Sequence, residues 1–278
     1  MKVFLRKFFL LLMCAIASGY LSAQQSDIHK KDIPYYEVEQ ITNDTLILEK
    51  CKLDLYYPKD KKDFATIIWF HGGGLTSGSK RQLPLELLDK GYAVVSVGYR
   101  LSPKVNAPAY IEDAAAAVAW VFKHIPEYGG NSRLIFLSGH SAGAYLNLMI
   151  TLDKKYLQRY KIDADSIAGV VPLSPQVITH FTVRKERGRS NLQPAIDEFA
   201  PLNFVRKGAP KILLVTGDPE MELLGRYEEN AYFWRMMKLA GDTQIKLYKL
   251  DGFDHGSMAI PGVQLLLKAV REICSMRK

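Results

Sequence analysis

The chain has 278 residues, 48% apolar and 24% charged, with 20 Gly and 13 Pro. That length and balance suit a globular fold with a large core and exclude collagen-like, coiled-coil and disordered classes. The 37 Lys and Arg against 29 Asp and Glu give +8, but Lys2, Arg6 and Lys7 in the first 23 residues carry three of those charges. The other 255 residues hold only +5, a mild excess, and no nucleic-acid partner is expected.

Met1–Ala23 joins that basic start to an apolar run, Phe8–Ala17, and then to Ser18-Gly19-Tyr20-Leu21-Ser22-Ala23. This reads as a secretory signal peptide cut after Ala23, so export to the periplasm or medium is expected. Ten continuous apolar residues fall short of the ~20 that span a bilayer, and no later stretch is long enough, so no stable membrane insertion is expected. A lipoprotein reading through Leu11-Leu12-Met13-Cys14 is weaker, because Met13 stands where a small residue is wanted. Beyond the leader, Cys51 and Cys274 lie near opposite ends and read as two separate core thiols, with pairing left open. There is no CxxC and no His cluster at ligand spacing, so no metal is expected.

From residue 24 onward strands and helices alternate. Tyr35–Tyr57 reads as two strands around Asn43-Asp44. Ala65–Phe70 (ATIIWF) is a continuous apolar run, the pattern of a strand buried on both faces. Similar runs recur at Tyr92–Val97, Leu134–Leu137, Ile167–Val171, Ile212–Val215 and Ile245–Leu250. Helical periodicity fills Arg81–Asp89, Ile111–Ile125, Ala142–Leu152, Tyr227–Ala240 and Val263–Cys274. Buried strands alternating with helices imply one domain, residues 24–278, around a mostly parallel sheet with right-handed crossovers. Residues 174–209 are too long for a simple connection and read as a lid or substrate loop.

The chemistry falls at strand ends. Gly139-His140-Ser141-Ala142-Gly143 lies between a strand and a helix, the setting of the G-x-S-x-G nucleophile elbow. A strand that turns at once into a helix leaves no room for flanking side chains, and the helix N-terminus sets N–H groups beside a developing oxyanion. His71-Gly72-Gly73-Gly74 directly follows ATIIWF and reads as an oxyanion loop, with the N–H groups of Gly73, Gly74 and Ala142 as donors. His71 is expected to fix that loop and to take no part in proton transfer.

A serine nucleophile needs a base and an acid. Of His29, His71, His124, His140, His180 and His255, the last stands in Asp251-Gly252-Phe253-Asp254-His255-Gly256, a glycine-flanked loop after the last strand, and is the chosen base. For the acid, Thr216-Gly217-Asp218-Pro219-Glu220-Met221-Glu222 offers three carboxylates at spacing two. Counting from the strand end selects Glu220; counting back from the helix at Tyr227 drifts towards Glu222, and Asp218 also stays open.

These residues resemble the α/β-hydrolase superfamily. HGGG at 71–74, Gly98-Tyr99-Arg100-Leu101-Ser102-Pro103 and GHSAG at 139–143 look like carboxylesterases of the hormone-sensitive-lipase and feruloyl/acetyl-esterase types. Ala107-Pro108, followed by Asp113 and an alanine-rich helix ending in Trp120, is also typical of them. The resemblance implies a single-domain fold with a mostly parallel eight-stranded sheet, helices on both faces and a short lid insertion. It also implies cofactor-free ester hydrolysis through an acyl-enzyme, with Asp113 supporting structure near the oxyanion loop. Two departures stand out: the N-terminal helical cap of the lipase type is missing, and the usual triad aspartate is a glutamate.

The expected substrate is a small-molecule or glycan-linked ester, acyl or aryl. The run Arg184-Lys185-Glu186-Arg187-Gly188-Arg189 reads first as a solvated basic loop. Its functional reading, with His180, Phe181 and Arg184, is a rim that attracts acidic or glycan-linked esters. Three rivals share the residues. A prolyl-oligopeptidase-type serine peptidase has no room for its propeller, and an arylformamidase fits export poorly. A silent glycan-binding module leaves the complete serine–histidine pair without a purpose. Sequence gives no oligomeric state.

Overall fold

The computed structural model describes residues 27–39, 44–223 and 225–277; the expected leader lies outside the described residues. Eight strands form one sheet in the order β1-β2-β4-β3-β5-β6-β7-β8. They are β1 (Ile28–Pro34), β2 (Lys52–Tyr57), β3 (Phe64–Phe70), β4 (Ala93–Val97), β5 (Gly130–His140), β6 (Gly169–Leu173), β7 (Leu213–Thr216) and β8 (Lys246–Lys249). Strand β2 runs antiparallel to both β1 and β4, and every pairing from β4 to β8 is parallel. The helices are α1 (Thr45–Lys50), α2 (Ala109–His124), α3 (Ala142–Leu152), α4 (Lys155–Gln158), α5 (Phe181–Glu186), α6 (Arg226–Leu239) and α7 (Ala259–Met276). This is the single-domain α/β-hydrolase fold that the motifs imply.

Two cores explain the sequence pattern. Every residue of β3 is buried; its alternate side chains serve opposite faces, Ile68 and Phe70 on one, Ile67 and Trp69 on the other. On the first face α2 and α3 close the core, and all eleven residues of α3 are buried. On the second, α7 presents Val263, Leu266, Leu267, Val270 and Ile273, a helical stripe, to β6 and β5. Each fully buried Ile or Leu contributes about 1.5–3 kcal/mol from surface removed from water. Cys51 belongs to the first core and Cys274 packs against the second, and they form no disulfide.

Three expected elements differ. In place of two strands over Tyr35–Tyr57, the first strand ends at Pro34, and Thr45–Lys50 is helical before β2. Asp44 makes that helix: its carboxylate accepts the N–H groups of Leu46 and Ile47, satisfying donors a helix start leaves bare. The helix expected over Arg81–Asp89 reduces to a 3-10 turn at Leu85–Leu87, because Pro84 has no N–H to give a helix interior. The long stretch 174–209 contains α5 and is pinned to the body: Glu186 accepts from the Ala107 N–H and the Tyr110 hydroxyl, and within the stretch the Leu202 N–H donates to Val177 O.

The parallel strands bring their C-terminal ends to one edge. There lie the HGGG loop after β3, the elbow after β5, Ser174 after β6, the acidic loop after β7 and the His255 loop after β8. Open α/β sheets bind ligands at that edge. Among the described residues no helix is long and apolar enough to cross a membrane.

Candidate active site

The elbow is built by close approach. A Cβ at Gly143 would lie 2.1 Å from the Phe70 carbonyl oxygen, and one at Gly139 2.5 Å from the same atom. Glycine alone lets β3 and the start of α3 meet there. Ser141 sits at φ 54°, ψ −114°, a conformation that L-residues adopt only under constraint. Its N–H donates to Leu173 O at 2.8 Å, and its carbonyl accepts from Tyr145.

The HGGG loop lies against the elbow. A Cβ at Gly72 would be 3.6 Å from the Ser141 Cβ and 3.2 Å from His140 Nδ1. Among the described residues, no hydrogen-bond acceptor takes the N–H of Gly73, Gly74 or Ala142. The loop is braced from below: the His71 ring stacks on Tyr99 at 4.2 Å, and the Tyr99 hydroxyl donates to His71 O. His71 Nδ1 is 2.7 Å from Gly72 O, and burial pushes the imidazole down to about 4, so the ring is neutral. Next to Tyr99, Arg100 forks onto the fully buried Asp113, which also accepts from the Tyr36 hydroxyl.

His255 reaches the same place. His140 Nε2 is 2.7 Å from His255 O and the two rings are 4.7 Å apart. Burial, then the neighbouring His255, holds His140 down to about 4; neutral, it donates through Nε2–H to that carbonyl. The carboxylate at His255 Nδ1 is Glu222, at 2.8 Å with its side chain fully covered. Glu220, the first choice from sequence, is exposed, and its own N–H donates to Asp218. The reason is local geometry. The segment after β7 is not extended: the N–H groups of Met221 and Glu222 both donate to Asp218 O, and the Gly217 N–H donates to Glu222 Oε1. That coil brings Glu222 back to the strand end and sends Glu220 into solvent. Asp218 ties the two loops, its N–H donating to Phe253 O and its carboxylate accepting from Gly252. Burial pushes Glu222 up, but bonds from His255, the Gly217 N–H and Ser174 outweigh it and hold the carboxyl at about 2.

With Nδ1 engaged, Nε2 is the nitrogen of His255 left to act as base. A strained serine, an imidazole oriented by a carboxylate and unpaired N–H groups beside the elbow can together carry out acyl transfer.

The three candidate substrate residues separate. Phe181 reaches the HGGG loop, where its Cζ would be 2.9 Å from a Cβ at Gly74, and neighbouring Thr182 Oγ1 donates to Gly74 O. His180 and Arg184 point inward. The His180 ring is fully buried and caps α5 by accepting the Thr182 N–H. Arg184 is 4% exposed and donates to Asn191 O. Arg187 pairs with Asp197 and Glu198. Of the basic run, only Lys185 and Arg189 are left as exposed cations without a carboxylate partner among the described residues, so the expected charged rim is much reduced. The sequence reading missed Ser174, whose Oγ is 2.9 Å from His255 Nδ1, and Arg226, which donates to Ser174 O. The strand-end position of Ser174 was the available signal. No group of three or more His, Cys, Asp or Glu among the described residues could hold a metal ion.

A family model described as BD-FAE matches residues 53–238. A probable carboxylic ester hydrolase, LipM, of Mycobacterium tuberculosis is 28% identical over 168 residues, 52% of this chain and 39% of that protein. Kynurenine formamidase of Danio rerio is 31% identical over 173 residues, 60% of this chain and 54% of that protein. The chain spans about half the length of the curated relatives it matches. Among solved structures, a truncated carbohydrate esterase from gut microbiota superposes with TM-score 0.71 at 18% identity, over 91% of this chain and 99% of that one. Thermogutta terrifontis esterase 2 phosphonylated by sarin gives 0.71 at 21%, over 91% and 97%. At these identities the likeness is one of fold.

Proposed function

Because the chain belongs to the BD-FAE family, we propose that it is a serine carboxylesterase that hydrolyses small acyl or aryl esters, including esters carried on carbohydrates. The observation that carries this reading is the Glu222–His255 pair, docked through His140 against the strained Ser141. In the proposed reaction His255 Nε2 takes the Ser141 hydroxyl proton as Oγ attacks the ester carbonyl. Glu222 fixes the tautomer and stabilises the imidazolium; Gly73, Gly74 and Ala142 donate to the oxyanion. His255 returns the proton to the leaving alcohol, and water, activated by the same ring, then releases the acid. Esterase names among the relatives and the carbohydrate esterase among the structural neighbours support it. The test is p-nitrophenyl acetate turnover with fluorophosphonate labelling: the wild type should turn over and be labelled at Ser141, and Ser141→Ala should do neither. Turnover of acetylated xylan or methyl ferulate would supply the carbohydrate part; preference for 8–12 carbon acyl chains with interfacial activation would remove it.

A second reading, formamide hydrolysis on the same residues, is favoured by the match to kynurenine formamidase. Faster turnover of N-formylkynurenine than of any ester in that panel would establish it. The export expected from the leader and the single domain over 24–278 belong to the proposal. Recovery of a chain beginning at Gln24 from the periplasm or medium tests the export.

A further inference from the structure

His255 Nδ1 faces two groups, Glu222 Oε2 at 2.8 Å and Ser174 Oγ at 2.9 Å. Both oxygens can share the single Nδ1–H, while the Ser174 hydroxyl donates a hydrogen bond to the Glu222 carboxylate. Ser174 is held at φ 51° with its N–H on Val215 O, and its carbonyl accepts from Arg226 Nη1. Arg226 is only 2% exposed and is the first residue of α6. Stability alone does not explain that placement, since a cation at a helix N-terminus opposes the helix dipole and a buried guanidinium carries a desolvation cost. Three residues on, Glu229 brings a carboxylate oxygen to 3.8 Å from Arg226 Nε and also accepts the N–H groups of Val177 and Ile178.

We propose that Arg226 and Glu229 are positioning residues for His255. Arg226 fixes Ser174 against the ring nitrogen that Glu222 also holds, and Glu229 cancels the Arg226 charge so that Glu222 stays available to the imidazolium. The charged and titratable groups around the ring are Glu222 after β7, neutral His140 on β5, Asp254 on its own loop, and Arg226 and Glu229 on α6. When the ring takes the Ser141 proton, the imidazolium, Glu222, Arg226 and Glu229 sum to zero charge. Without Glu229 the Arg226 cation would oppose that protonation; without Arg226 the second carboxylate would favour it.

This rests on His255 as the base of the proposed esterase, so the test reads the ring directly as well as the activity. The His255 titration midpoint is followed by NMR, with kcat and KM for p-nitrophenyl acetate, in wild type, Arg226→Met, Glu229→Gln, their double variant and Ser174→Ala. Arg226→Met should raise the midpoint and Glu229→Gln lower it, and the double variant should return near the wild type. In Arg226→Met and in the double variant kcat should fall about ten- to a hundredfold at nearly unchanged KM, because Ser174 is released. Ser174→Ala should reproduce that loss, and adding Arg226→Met to it should cost less than about twofold more. Coincident midpoints, or additive kcat losses at Ser174 and Arg226, overturn the proposal. Should Arg226→Met not fold, Arg226→Gln takes its place in both arms. A wild type that turns over no ester would defeat the esterase reading while the midpoints still decide this one.

Discussion

The elbow at Ser141 and the loop at Glu222 occupy strand ends of the same sheet and are built by opposite means. The elbow depends on what is missing. A Cβ at Gly143 would collide with Phe70 O, and the serine between the glycines is left at a positive φ. The acidic loop depends on hydrogen bonds: the Gly217 N–H to Glu222 within it, and the Gly252 N–H to Asp218 and the Asp218 N–H to Phe253 O across to the His255 loop. Excluded volume leaves its mark on the residues themselves. A loop closed by hydrogen bonds from other strand ends does not.

The largest effect expected of that contrast is at Ser141, the proposed nucleophile. Ser141→Ala should lower kcat on p-nitrophenyl acetate by about 10⁶-fold, as the loss of a triad serine does in other serine hydrolases. On the acid side the comparison can be broken outright. Glu222→Gln should cost about 10⁴-fold, as loss of the orienting carboxylate does elsewhere, and Glu220→Gln less than about twofold. A larger loss at Glu220 would mean that the coil after β7 opens during the proposed turnover. At the elbow, Gly143→Ala should destabilise by at least about 3 kcal/mol in urea titrations, because a methyl placed 2.1 Å from a core-strand carbonyl forces the backbone to move. A change below about 1 kcal/mol would show that α3 slides freely over β3.

This contrast explains how much could be read from the residues alone. The sheet and the glycine turns at 71–74 and 139–143 were legible, because buried parallel strands write continuous apolar runs and strand-to-helix turns demand glycine. The carboxylate that meets His255 was not, since Asp218, Glu220 and Glu222 differ in sequence only by register, and the turn that selects among them is closed by backbone groups. Helix α1 was hidden by the strand-like TLIL and revealed only by its Asp44 cap. The rim expected of Arg184–Arg189 is reduced for a related reason: charge says nothing of direction, and Arg184 is buried with its guanidinium on Asn191 O.

The Glu222 loop also predicts a pH effect of its own. Its carboxyl is held at about 2 in the folded chain, below the ordinary 4.5. A group depressed in this way stabilises the fold above its unfolded value, and the contribution is lost as pH falls from about 4.5 towards 2. Wild-type urea midpoints should therefore drop more steeply over that interval than those of Glu222→Gln. Parallel curves would mean that the bonds from His255, Gly217 and Ser174 do not favour the charged form.

The smallest expected effect tests the elbow's strain directly. At φ 54°, ψ −114°, Ser141 sits where a side chain costs about 1–3 kcal/mol and glycine costs little. Glycine gives back about 0.5–1 kcal/mol through the greater freedom of its unfolded chain. Ser141→Gly should therefore be about 1 kcal/mol more stable than Ser141→Ala, though both lack the nucleophile. Equal stabilities would place the strain in the flanking close contacts at Gly139 and Gly143. A more stable glycine variant would place it in the serine, at the positive φ that the turn from β5 into α3 imposes.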